Sequence, residues 1–199
     1  MNWKRVMDHE PTSAVEGERK AAVLAPVITR PDDDYLLFTK RADHLGEHPG
    51  QMSFPGGGYE PDDQNLAATA KREAFEEVSL DPEDAEIIGQ LDDIQTVTNY
   101  LVRPFVAKVP DQEYIPDERE VAEIAVLSLS ELTDLGNYES ERRERPYEGG
   151  VRVHYFRVDG YTVWGATGRI LVQFLELATD WAMPAEPDRV VDPDADYPI

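Results

Sequence analysis

Cysteine is missing from all 199 residues, which excludes disulfides, thiolate nucleophiles and cysteine-built zinc sites and fits a reducing cytosol. Lysine is scarce too: only 5 of the 19 basic residues are Lys, against 41 Asp and Glu, for a formal net charge of −22. No basic patch interrupts that acid, so neither nucleic acid nor an anionic membrane surface is an expected partner. Long hydrophobic runs are lacking as well. Near the start the longest, Ala21 to Ile28, is short and broken by Pro26, so neither a signal peptide nor a membrane span is expected and a cytoplasmic location follows. The apolar residues, 41% of the chain, are nevertheless patterned, which argues against a disordered acidic chain. Self-repulsion at such a charge is screened within about 3 Å at molar salt. The composition therefore points to a salt-rich cytoplasm.

At this length one core is expected. Residues 1–20 read as a polar arm with a short helix, 21–183 as the folded domain, and 184–199, rich in Pro and Asp, as an extended or mobile acidic tail. Strands are expected over Ala21 to Thr29, Tyr35 to Lys40, Glu86 to Thr96, Leu101 to Val109, Glu123 to Leu127 and Val151 to Val158. Helices are expected over Asn65 to Val78, Ser130 to Leu135 and Ala166 to Ala182, the last burying Ile170, Leu171, Phe174, Leu175 and Leu177. The charged stretch Glu139 to Glu148 reads as a loop. Interleaved strands and helices give a mixed sheet clasped between helices, an α/β/α sandwich.

Chemistry concentrates in Arg72 to Val78, Arg-Glu-Ala-Phe-Glu-Glu-Val, fifteen positions beyond the Phe-Pro-Gly-Gly turn at Phe54 to Gly57. Positions i, i+3 and i+4 share one face of a helix, so Glu73, Glu76 and Glu77 can converge while Phe75 and Val78 point into a core. Three clustered carboxylates repel one another unless a cation sits among them, and Mg²⁺ or Mn²⁺ suits an all-oxygen site completed by substrate phosphates. A solvated acidic face is the plain alternative. Arg72 directly before the first Glu, the small residues Ala67, Ala68, Ala70 and Ala74, and the glycine turn upstream favour the metal reading. Arg72 can hold a carboxylate bidentately and fix its rotamer.

This constellation resembles the signature of the Nudix hydrolase family: a Gly, a spacer, Arg-Glu, an apolar residue, any residue, then Glu-Glu. Leu36 to Gly57, LLFTKRADHLGEHPGQMSFPGG, and Tyr161 to Leu171, YTVWGATGRIL, are similar to segments of its coenzyme A diphosphatase subgroup, and LVRPFVAKV within Asn99 to Val109 resembles that subgroup's middle strand. The resemblance spans roughly residues 21 to 182. It implies a Nudix-type fold and hydrolysis of a small-molecule nucleoside diphosphate, foremost coenzyme A or acyl-CoA to 3′,5′-ADP and 4′-phosphopantetheine. ADP-ribose, NADH and a non-catalytic nucleotide or CoA-binding module are the alternatives, and a homodimer is left open. Metal ligands implied are Glu73, Glu76 and Glu77 with the Gly56 carbonyl; substrate contacts implied are Arg41, His48, Gln51, Phe54 and Gly57. For the general base, Glu120 and Glu123 are the later-loop candidates. Three positions depart from the pattern: Gly46 where the subgroup usually carries Arg, Gln64 where a Glu is usual, and Ser79 where a Gly is usual.

Overall fold

A computed structural model describes residues 1–13, 19–45, 50–96, 99–145 and 149–198. In chain order the elements are α1 (Trp3–Met7), β1 (Arg19–Thr29), β2 (Asp34–Arg41), β3 (Met52–Ser53), β4 (Gly56–Gly58), α2 (Leu66–Val78), β5 (Glu86–Gln90), β6 (Ile94–Gln95), β7 (Tyr100–Val109), β8 (Val121–Ser128), α3 (Leu129–Leu132), a 3-10 turn (Leu135–Asn137), β9 (Tyr138–Arg145), β10 (Gly149–Val158), β11 (Tyr161–Trp164), α4 (Gly165–Ala178) and β12 (Arg189–Val191).

The main sheet runs β3-β2-β1-β7-β5, with β4 on β1, β6 on β7 and β8 on β2. It is mixed because β1 and β7 pair in parallel while β2, β4, β5 and β8 join antiparallel. Strand β1 is apolar nearly throughout because both of its faces are covered. Ala22, Leu24 and Ile28 meet Ala70, Ala74 and Val78 of α2, whereas Ala25 and Val27 face the core that holds Ile170, Phe174 and Leu175 of α4. Pro26 falls where β1 passes from its pairing with β4, at residues 21–23, to its pairing with β2, at 27–29. A residue without an N–H is tolerated at that gap. Among the described residues no helix is long and apolar enough to cross a membrane.

A second sheet, β11-β10-β9-β12, corrects one expectation and gives the extended tail a partner. Residues 139–148 were expected to loop, yet Tyr138–Arg145 forms β9. Its charges do not solvate it: Glu141 and Arg143 are 1% and 3% exposed and bond to each other, Arg143 Nε donating to Glu141 Oε1 at 2.7 Å. The tail is likewise bound, since Arg189–Val191 pairs in parallel with β9. Smaller differences have local causes. Helix α4 ends at Ala178 rather than Ala182 because Thr179 takes an extended backbone conformation, with its hydroxyl accepting the Trp181 N–H, and the expected strand 86–96 is interrupted at residues 91–93. Phe75, expected in the core, is 54% exposed, while Val78 is buried as its position on α2 requires.

Candidate active site

Helix α2 carries its own start and stop signals. Asn65 accepts the Ala68 N–H at 3.0 Å, an ordinary side-chain cap. At the other end Ser79 adopts the left-handed conformation, φ 58, that favours glycine after a helix. Its hydroxyl donates to the Ile115 carbonyl at 3.1 Å, a compensating bond that glycine could not make. The small residues Ala70 and Ala74 are fully buried and let the helix lie close on β1, beside β4.

Arg72 organises the face that carries the glutamates. Its Nε donates to Asp63 Oδ1 at 2.9 Å and Nη2 to Asp63 Oδ2 at 3.1 Å, while Nη2 also reaches the Gly58 carbonyl at 2.9 Å. Nη1 lies 3.0 Å from both Glu73 Oε1 and Glu76 Oε2. Asp63 is fixed in turn by the Thr69 hydroxyl at 2.8 Å and the Glu60 N–H at 2.9 Å. The hydrogen bonds from Arg72 hold the Asp63 carboxyl down at about 2 and raise the guanidinium above its ordinary value. From the sequence alone Asp63 was given no part in the site. What marks it is its place just before Gln64, where the family pattern expects an acid, nine residues ahead of Arg72.

Close approach explains the glycines. A Cβ on Gly57 would lie 2.6 Å from the Glu73 carboxylate, and one on Gly56 only 2.4 Å from the Ala22 carbonyl across the sheet. The Gly56 N–H donates to Glu77 Oε2 at 3.2 Å. Burial, against the pull of that N–H and reinforced by Glu73 and Glu120, pushes the Glu77 carboxyl up to about 8. Burial also raises Glu73, against the opposing charge of Arg72.

The expected residues divide as follows. Glu120 lies in a loop that bonds to the end of α2, Ile115 N–H to Val78 and Asp117 N–H to the Glu77 carbonyl, and its charge acts on both Glu73 and Glu77. Glu123 is instead engaged by the Tyr161 hydroxyl and lies 4.0 Å from Lys40 Nζ. Arg41, at the end of β2, is close enough for its charge to oppose the rise at Glu77. Gln51 reaches the head of α4, its Nε2 lying 3.4 Å from where a Cβ on Gly165 would stand. Phe54 needs correction: it is 2% exposed and stacks on Phe38 with ring centroids 4.6 Å apart, so it supports the turn from beneath rather than facing a substrate. His48 and Gly46 lie outside the described residues.

Helical spacing suggested that all three glutamates converge; Glu73 and Glu76 meet at Arg72 Nη1, while Glu77 is turned to the Gly56 N–H. Among the described residues no three acidic or imidazole groups are set to hold a metal ion. The donor set still fits a hard dication. Glu73 and Glu77 are carboxylates raised by burial and by neighbouring acid, an arrangement that a divalent cation would relieve.

Over residues 18–147 the chain matches the NUDIX domain family. It is 41% identical over 159 residues to the uncharacterized Nudix hydrolase NudL of Enterobacter sp. (strain 638), covering 79% of this chain and 81% of that relative. To the protein of the same name in Yersinia pestis (strain Pestoides F) it is 40% identical over 155 residues, covering 77% and 76%. The fold is similar to that of a NUDIX hydrolase from Nitrosomonas europaea, with a TM-score of 0.53 at 16% identity over 90% of this chain and 81% of that one. Since the matched span takes in the glycine turn, Asp63, Arg72 and the glutamates of α2, the chain belongs to the Nudix hydrolase family and hydrolyses diphosphate bonds in nucleoside diphosphate derivatives.

Proposed function

We propose that this Nudix hydrolase is a coenzyme A or acyl-CoA diphosphatase that releases 3′,5′-ADP and 4′-phosphopantetheine in a salt-rich cytoplasm. One observation carries the reading. The two segments that resemble the coenzyme A subgroup, 36–57 and 161–171, are far apart in the chain yet meet where Gln51 faces Gly165. Arg41 belongs to the first segment and acts on Glu77, so the meeting point and the glutamate helix border one site.

Glu73 and Glu77 would hold Mg²⁺ or Mn²⁺, with Glu76 and the Gly56 carbonyl completing the shell. When bound, such an ion neutralises diphosphate charge and lowers the pKa of an attacking water. The chain supplies the rest. Arg72, locked on Asp63, fixes the rotamers of Glu73 and Glu76. Glu120 would take a proton from water in preference to Glu123, a reading supported by the bonds that tie its loop to the end of α2. Arg41, His48 and Gln51 would bind the substrate, with Gly57 leaving room beside Glu73.

The test is a substrate panel of coenzyme A, an acyl-CoA, ADP-ribose and NADH at one ionic strength, with products separated and identified. Coenzyme A should have the highest kcat/KM and yield 4′-phosphopantetheine. Gly46→Arg, restoring a charged side chain usual in the subgroup, should lower its KM by about ten- to a hundredfold, the worth of one charged hydrogen bond. Ready cleavage of ADP-ribose with no 4′-phosphopantetheine from coenzyme A would remove the substrate assignment and leave the family activity standing.

A further inference from the structure

The segment that follows α4 is strapped to the second sheet by arginines that grip its backbone. Arg152 donates to the carbonyls of Pro184 at 2.7 Å and Glu186 at 2.9 Å, and Arg143 to those of Ala195 at 2.6 Å and Asp196 at 3.2 Å. Arg157 donates to the Pro198 carbonyl at 2.5 Å. Each guanidinium is itself anchored: Arg152 by the Ser140 hydroxyl, Arg143 by the buried Glu141, Arg157 by Glu139. Bonds to main-chain carbonyls fix a path, not a composition, and several donors held rigidly leave the strap little freedom.

That path delivers one side chain to the edge of the proposed site. The Tyr197 ring lies 3.7 Å from Arg143 Cζ on one side and has its centroid 4.8 Å from that of Trp164 on another. Trp164 stacks in turn on Tyr155 at 6.2 Å and 13°. Trp164 is the residue on which α4 starts, and it makes no side-chain capping bond there. The next residue, Gly165, has φ +65 and faces Gln51. The hold on Trp164 is therefore aromatic, shared by Tyr155 and Tyr197.

We propose that Tyr197 is a positioning residue: by bracing Trp164 it sets the seam between Gly165 and Gln51 that receives the part of the substrate beyond the scissile diphosphate. This rests on the reading that Gln51 contacts substrate. The alternative is that the strap only stabilises the second sheet. The two differ in kinetics. If Tyr197 positions the seam, its loss weakens binding without slowing chemistry at the glutamates, and an unsubstituted ring in its place suffices.

The experiment compares wild type, Tyr197→Ala and Tyr197→Phe by kcat, KM and melting temperature. Tyr197→Ala should raise KM about three- to tenfold, the worth of an aromatic contact, with kcat within about twofold, and Tyr197→Phe should match wild type. An unchanged KM in Tyr197→Ala overturns the proposal. So does a loss of kcat that follows a lowered melting temperature and is not restored by Phe. The assay uses coenzyme A where wild type cleaves it and otherwise the nucleoside diphosphate cleaved best. Failure to cleave coenzyme A thus counts against the substrate assignment, and an unmoved KM against Tyr197.

Discussion

Arg72 and Asp63 meet as a two-pronged pair, Nε on Oδ1 at 2.9 Å and Nη2 on Oδ2 at 3.1 Å. Because the remaining guanidinium nitrogen lies 3.0 Å from both Glu73 and Glu76, the orientation of two glutamates depends on an aspartate that touches neither. Asp63→Asn keeps size but breaks the charge match, and we expect kcat to fall about 10- to 100-fold with the fold retained, as for other outer partners of metal-site residues. Circular dichroism and steady-state kinetics on the same preparation check this. Glu77→Gln, which removes a carboxylate outright, should cost about 10² or more.

Gly57 and Gly58 are neighbours on β4 with opposite tolerance. An added Cβ would collide with the Glu73 carboxylate at Gly57, whereas at Gly58 nothing lies within 4 Å. Gly57→Ala should reduce turnover by roughly 10²-fold through displacement of Glu73, and Gly58→Ala should leave it near wild type. Equal activity of the two variants would contradict the close approach.

His154 is 6% exposed and its Nδ1 lies 2.9 Å from the Tyr138 hydroxyl. Burial, then the charges of Arg152 and Arg169, push it down from 6.5 to about 4. Above pH 6.5 both folded and unfolded chains carry it neutral, but between 6.5 and 4 only the unfolded chain takes up the proton. Its contribution to stability is therefore full above pH 6.5 and lost as pH falls through 4. Melting temperatures measured across that range should decline, with a shallower slope in His154→Gln. Asp63 acts at lower pH: its contribution is present above 3.8 and lost as pH falls through about 2.

A net charge of −22 makes the salt dependence a direct test of the halophilic reading. Melting temperature should climb from low to molar KCl as repulsion is screened to about 3 Å. A flat or falling trend would contradict it.

Much of the fold was legible because its cues are local. The apolar run Ala21 to Thr29 declared a strand, and Asn65 and Ser79 bracket α2 within a residue of the expected limits. What escaped depends on partners distant in sequence. Strand β9 looked like a loop because Glu141 and Arg143 gave no sign that Arg189, 46 residues beyond Arg143, would come back to neutralise Glu141 at 3.0 Å. At the site the same split holds. Helical spacing placed the glutamates on α2, but only the folded chain shows Asp63 holding Arg72, Arg72 bridging Glu73 and Glu76, and Glu77 turned to the Gly56 N–H. Phe54 was misread because an aromatic within a motif gives no hint of whether it faces a substrate or a core.

Glu77 is gripped from two directions, its carboxylate by the Gly56 N–H and its backbone carbonyl by the Asp117 N–H. A single residue thus works as the jaw spacing of a caliper, with the glycine turn on one arm and the loop that bears Glu120 on the other. The gap between them is set by one side chain and the width of a helix. A one-residue insertion in α2 upstream of Glu77 would rotate it by about 100°, and both arms would be released together. Such a lesion should abolish activity in one step, because the Gly56 and Asp117 bonds to Glu77 would be lost together.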